Sequence, residues 1–270
     1  TTGVDLMQLF IAPTWARKFD NGVSIGISPI LAMQLFEARG MGNFAPFSAE
    51  PENLTDNSHD TSYGMGLKFG IQVPMGASAS FGASYQSQMW MSEFDDYAGL
   101  FAGHGDFDIP ASATVGVSVN ANDAWTLAFD VQWIGYSSID SIGNPMFPNL
   151  MQAPLGSDGG AGFGWNDMTI FKFGAAWKSS AISTWYFGYS FTDQPIDSSE
   201  VLFNILAPGV VEQHFTTGYT HENANGNSWT VSAMYAPSES VSGINPLDPA
   251  QNIEISMDQI DLEFSYRFGQ

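Results

Sequence analysis

Residues 62–91, SYGMGLKFGIQVPMGASASFGASYQSQMWM, alternate apolar with small or polar side chains on both sides of a Pro74-Met75-Gly76 turn. Successive side chains of a strand point to opposite faces. Tyr63, Met65, Leu67, Phe69, Ile71 and Val73 therefore share one face, and Gly64, Gly66, Lys68, Gly70 and Gln72 the other. The second arm sets Ala77, Ala79, Phe81, Ala83, Tyr85 and Met89 against Ser78, Ser80, Gly82, Ser84, Gln86 and Gln88. One such ribbon suits a soluble sandwich as well as a membrane barrel. Its recurrence along the chain decides between them.

The pattern recurs in five hairpins and a last strand. Gly3–Phe19 and Val23–Ala38 meet at Asp20-Asn21-Gly22, where Asn-Gly asks for positive φ at both central positions. After the ribbon, Pro110–Asn120 and Ala124–Tyr136 pair around Ala121-Asn122-Asp123, with Val115, Val117, Val119, Trp125, Leu127, Phe129, Val131 and Trp133 on the greasy side. Asn166–Lys178 pairs with Ile182–Thr192, sharing Phe171, Phe173, Trp177, Trp185, Phe187, Tyr189 and Phe191. Val211–Glu222 pairs with Ser228–Tyr235 through Asn223-Ala224-Asn225-Gly226-Asn227. The final strand runs to Phe268, its Ile260, Leu262, Phe264, Tyr266 and Phe268 opposed to Asp261, Glu263, Ser265 and Arg267. That makes eleven strands.

Short turns alternate with long loops at 39–60, 92–109, 137–165, 193–209 and 236–255. All short turns thus lie at one end of the strands and all long loops at the other, as in outer-membrane barrels. Trp15, Trp125, Trp177, Trp185 and Trp229 all stand within a few residues of a short turn, where an interfacial aromatic girdle belongs. We expect an all-β, antiparallel up-and-down transmembrane barrel over 1–270, a single domain in the bacterial outer membrane. Such barrels have an even number of strands with both termini periplasmic. An eleventh strand counted back from Phe268 enters from outside, so the expectation is a chain N-terminally incomplete by at least one strand.

Composition narrows the function. A net charge of -21 with only seven Lys plus Arg argues against nucleic acid and against a basic patch for anionic lipid headgroups. Zero cysteines exclude a disulfide framework and a thiolate metal site. The longest apolar run near the start, Val23–Phe36, is too short for a spanning helix and carries Pro29 and Gln34.

The opening VDLMQLFIAPTWARKFDNGVSIGISPILAMQLFEARGMGNF, the segment PENLTDNSHDTSYGMGLKFG and the ending NPLDPAQNIEISMDQIDLEFSYRFG resemble the FadL/TodX-type outer-membrane transporters of long-chain fatty acids and hydrocarbons. The resemblance runs over nearly the whole chain. It implies a fourteen-stranded barrel of which about eleven strands are present here, with the plugging N-terminal hatch and first three strands absent. It also implies an external hydrophobic groove formed by loops 39–60 and 93–109, which captures substrate first. A departure is that Gly269 and Gln270 follow the last aromatic, Phe268.

Function should reside on the inward face. Lys18, Lys68, Lys172, Lys178 and Arg267 point inward in this phasing, and Lys68 and Lys172 lie near mid-strand, where they meet either a carboxylate headgroup or inward acids such as Asp130, Asp261 and Glu263. Leu6, Phe10, Ile30, Phe36, Trp90, Ile170, Tyr186 and Met234 are apolar where a water-filled porin would be polar; they suit an acyl chain or the packing of a plug. The ligand-binding set is thus Phe10, Ile30, Phe36, Lys68, Trp90, Ile170, Lys172, Tyr186 and Met234. Apolar clusters in the loops, at 44–47, 97–101, 146–151 and 201–206, either bind substrate or pack together as a lid.

No spacing selects a nucleophile for His214, and the acids at Glu93-Phe94-Asp95-Asp96 lack the spacing of a calcium loop. The expected function is passive transport of hydrophobic small molecules by a monomer set in outer-membrane lipid, with no cofactor, metal or catalytic step. The rivals are a non-specific porin, a structural barrel, or a secreted soluble β-protein.

Overall fold

The computed structural model describes residues 2–223 and 225–269; Thr1, Ala224 of the fifth turn and Gln270 lie outside them. Among the described residues there are thirteen strand segments: β1 (Gly3–Ile11), β2 (Trp15–Lys18), β3 (Ser24–Arg39), β4 (Asp60–Met75), β5 (Ala79–Gln86), β6 (Trp90–Met91), β7 (Ser112–Asn120), β8 (Trp125–Ile134), β9 (Met168–Ser180), β10 (Ser183–Phe191), β11 (Gln213–Glu222), β12 (Ser228–Ile244) and β13 (Asn252–Arg267). All pair antiparallel in one sheet ordered β1-β3-β4-β5-β7-β8-β9-β10-β11-β12-β13, with β2 beside β3 and β6 beside β4. β2 continues the line of β1 and β6 that of β5, so the segments occupy the eleven positions expected. Among the described residues no ladder joins β1 to β13, and these are the sheet's two edges.

The break between β1 and β2 falls at Ala12-Pro13-Thr14, facing Pro29 on β3. Proline brings no N–H to a ladder, and two of them in facing stretches leave three residues unpaired. Thr14 bridges part of the gap through its hydroxyl, 2.8 Å from that of Ser28. The first turn departs from the expected form. Only Gly22 has positive φ, and Asn21 instead accepts a hydrogen bond from the Val23 N–H through its side chain.

The outward face is exposed and apolar on every long strand: Phe69 and Ile71 on β4, Phe173 and Trp177 on β9, Phe187 and Phe191 on β10, Leu262 and Phe264 on β13. A patch of this extent needs lipid to cover it. Near the short turns, Trp125 stacks on Trp177 at 5.7 Å, Trp185 meets Tyr219 at 4.8 Å, and Tyr219 meets Trp229 at 5.4 Å. This is the girdle anticipated from tryptophan placement.

Three expectations are corrected. Ser87, Gln88 and Met89 form a bulge. Regular pairing from Lys68 opposite Gln86 would bring Gly64 opposite Trp90, but Met65 stands there and Met91 faces Gly64. A one-residue slip exchanges the faces. Trp90, expected inward, therefore shares the outward face of Met65 and is 62% exposed, while Met89, expected outward, is buried. Third, 236–255 is mostly not a loop. β12 and β13 run on past a bulge between Ala236 and Glu239, pair Val241 with Ile255, and turn only at 245–251. Val241 and Ile255 bury against Ile196, Val201 and Val210 of the preceding loop, which is what holds this extension together.

The principal core lies in the long loops. Met41 and Leu54, Phe94, Tyr97, Leu100 and Phe101, Met146, Leu150 and Leu155, and Phe203 come from four loops and form one buried cluster with Phe36 at the end of β3, whose ring meets those of Phe94, Tyr97 and Phe101. Each is almost wholly buried. The loops' apolar clusters thus form a lid over the strand ends, and the apolar residues of loops 39–60 and 93–109 expected to form an open groove are largely inside it.

Candidate functional site: a cavity beneath the loop cap

A cavity of about 480 Å³ opens between the cap and the upper ends of the strands. Its strand side is made by Val4, Leu6, Gln8 and Phe10 of β1, Phe36 of β3, Gln86, Ser112, and Gln132 and Ile134 of β8. Its cap side is made by Phe101, Phe107 and Ile109, by Tyr136, Ile142, Phe163 and Trp165, and by Leu206 and Ala207. Most of this lining is carbon, as hydrophobic ligands require.

The cap side is rigidly set. Trp165 donates its indole N–H to Asn204 Oδ1 at 2.6 Å, and Asn204, fully buried, donates to the carbonyls of Phe163 and Glu200 at 2.7 and 2.9 Å. Tyr136 lies edge-on to Trp165 at 5.0 Å, and Phe101 packs on Phe107 at 4.6 Å. Asn204 turns two polar groups inward inside an apolar cluster, where each must be bonded. In the sequence it is merely the polar member of the 201–206 run, with no signal to single it out.

One carboxylate borders the cavity. Asp108 is buried and accepts the Gln88 side-chain amide and the Met91 backbone N–H, both at 2.6 Å. Beside it in the same loop, burial first and then the Asp108 and Glu93 carboxylates push the Asp106 carboxyl up to about 7. The folded state thus holds a proton that the unfolded chain has released. Cap stability is therefore full below the ordinary carboxylate range, falls as pH rises towards 7, and levels off above it. Asp106→Asn removes the penalty. Its thermal midpoint relative to the wild type is expected to be unchanged at pH 4 and higher at pH 8, measured on paired samples in the same detergent.

The residues anticipated from sequence divide into four sets. Phe10 and Phe36 line the cavity. Four stand one residue away on the same side of the sheet. Ile30 is buried against Met89 and Ile109, Lys68 sits opposite Gln86, Ile170 sits opposite Gln132, and Lys172 Nζ donates to Gln132 Oε1 at 2.6 Å. Tyr186 and Met234 do not line it. Tyr186 stands opposite Ala176 and Gly218, and Met234 opposite Thr216 and Asp261. Trp90 is on the other face, for the reason given by the bulge. The three glutamines of the lining, Gln8, Gln86 and Gln132, were passed over because polar inward residues are the ordinary state of a barrel lumen.

The family model described as outer membrane protein transport protein (OMPP1/FadL/TodX) matches residues 2–236. No curated protein matches the chain by sequence. Among solved structures, the toluene transporter TodX of Pseudomonas putida superposes with a TM-score of 0.66 at 15% identity, covering 97% of this chain and 69% of that one. A FadL homologue of Pseudomonas aeruginosa gives 0.65 at 13%, covering 97% and 68%. The toluene transporter TbuX of Ralstonia pickettii gives 0.62 at 14%, covering 99% and 69%. At these identities the likeness speaks for the fold, and the family match adds the location and general task. The chain belongs to the OMPP1/FadL/TodX family of outer-membrane transport proteins, β-barrel channels for hydrophobic compounds.

Proposed function

We propose that this protein admits hydrophobic small molecules across the outer membrane passively, and that the cavity under the cap is where they pause. The observation that carries this reading is the lining itself: seven aromatic side chains converge on one volume, Phe10 and Phe36 from the strands and Phe101, Phe107, Tyr136, Phe163 and Trp165 from the cap side. Each CH₂ buried there stabilises a bound chain by about 0.8 kcal/mol, so an aliphatic or aromatic compound gains enough to dwell without any charged contact. No covalent step is required. The girdle and apolar outer band fit a monomer surrounded by outer-membrane lipid.

Trp165 provides the readout. Titrating the protein in detergent with a medium-chain alkane is expected to give saturable quenching of tryptophan fluorescence that disappears in Trp165→Phe. A response that never saturates in a correctly folded barrel would favour a water-filled passage. The polar inward surface lower down, with Ser80, Ser84, Thr114 and Ser118, would serve that alternative.

A further inference from the structure

The polar groups of the cavity are unevenly distributed. Gln8, Gln86, Ser112 and Gln132 all come from strands, whereas the cap supplies mainly rings and aliphatic carbon. Among the described residues no lysine, arginine or histidine lines the volume. The one charged group that does, Asp108, is negative and already accepts two hydrogen bonds.

Lys172 fixes the sense of Gln132. An ammonium group only donates, so the side-chain atom 2.6 Å from Nζ must be the amide oxygen. The amide nitrogen, with its two N–H donors, is then the end left over, and among the described residues it has no hydrogen-bond partner. Asp130 stands directly opposite Lys172 on β8, but among the described residues the Lys172 ammonium makes its hydrogen bond to Gln132 and no ion pair with that carboxylate. Lys172 is held as a support for Gln132 and is not presented to the cavity.

We infer that the cavity prefers hydrophobic compounds bearing one neutral oxygen head group, an alcohol, phenol or ketone, over carboxylates, with Gln132 as the donor to that oxygen and Lys172 as its positioning residue. This rests on the reading of the cavity as the pausing site. The apolar part of the ligand lies against Phe101, Phe107 and Phe163, and the head group turns to the strands. Gln86 and Ser112 offer acceptors for a hydroxyl proton. A carboxylate head would meet the Asp108 carboxylate, while Lys68 and Lys172 stand one residue outside the lining and put no cation into the volume, which disfavours the ionised form.

The test compares 1-decanol, decane and decanoate by quenching of Trp165 in the detergent-solubilised protein at pH 8. The quantity read is the ratio of alcohol to alkane affinity, which cancels general changes in the pocket. Gln132→Leu is expected to lower that ratio about fivefold to tenfold, the worth of one hydrogen bond, with decane affinity changed less than twofold. Lys172→Met should lower it too, and Lys172→Arg, which can still donate to the amide oxygen, should restore it. Decanoate should bind more weakly than decanol.

An unchanged ratio in Gln132→Leu would overturn the inference while leaving the pausing site intact. So would decanoate as the tightest ligand, with its binding weakened in Lys172→Met or Lys68→Met, since that would make one of these lysines a headgroup contact. Saturable binding by none of the three would overturn both readings together. Retention of the heat-modifiable gel shift of a folded barrel shows that each variant is competent to be scored.

Discussion

Phe101→Ala should destabilise the loop cap by about 3–5 kcal/mol, the usual cost of removing a buried phenylalanine ring. Phe101 is 2% exposed, and its ring centroid lies 4.9 Å from that of Phe36, 6.1 Å from Phe94 and 4.6 Å from Phe107. Each such pair adds about 0.5–1.5 kcal/mol beyond burial, so truncation removes transfer energy and three ring contacts together. The hole would open into the existing cavity, because the same ring lines it. Collapse cannot repair that loss, since Phe36 is fixed in the β3 ladder and Phe94 by its N–H on the Gly105 carbonyl. The strand ladders do not depend on this side chain, so the barrel should persist while the cap opens. Protease cleavage within 92–109 should accelerate about a hundredfold or more if it follows the population of the open cap. Cleavage at the wild-type rate would mean that the cap is held by something other than this core.

The cap is also where reading the sequence runs out. A strand repeats every two residues, and a lipid-facing surface must be apolar on every strand. Phe171, Phe173 and Trp177 could therefore be assigned an outward face without knowing their neighbours. Loops have no period. Nothing in the sequence brings Phe36 to Phe101, or Trp165 to Asn204, because each pair joins distant segments whose meeting depends on how several strand ends are placed. The bulge at 87–89 was hidden for a related reason. Ser87 and Gln88 continue an acceptable alternation, and only the pairing of Met65 with Trp90 reveals the extra residue. The extension of β12 and β13 was masked by Pro237, Gly243, Pro246 and Pro249, which read as loop residues, although Val241, Ile253 and Ile255 carried the alternation. Lys172 was recognised as inward and mid-strand, but its role needed the register. Gln132 stands opposite Ile170, so Lys172 reaches it only along a diagonal.

Gly156→Val should have the second large effect, through backbone geometry and not through lost surface. Three loops cross at this residue. Leu155 exchanges backbone hydrogen bonds with Phe47 and Ala49 of the first long loop at 2.8 and 2.9 Å, and the Gly156 carbonyl accepts from His104 N at 2.6 Å. Gly156 has φ +86°, and a Cβ there would overlap the Ala98 carbonyl oxygen and lie 2.8 Å from Gly99 Cα. A β-branched residue is strained by about 1–3 kcal/mol at that φ before any clash is counted. Neither neighbouring atom can yield, since both are backbone inside the cap. The third loop must therefore separate from the second, and the Trp165 wall of the cavity goes with it. Gly159→Val separates the two causes, because Gly159 has φ +65° but nothing within 4 Å of the position its Cβ would take. The Gly159 variant should bear only the backbone strain and keep saturable ligand quenching. The Gly156 variant should lose that quenching and expose all three loops to protease, with its β-sheet circular dichroism intact. Equal behaviour of the two variants would show that φ alone is responsible and that the three-loop crossing is not what closes the cavity.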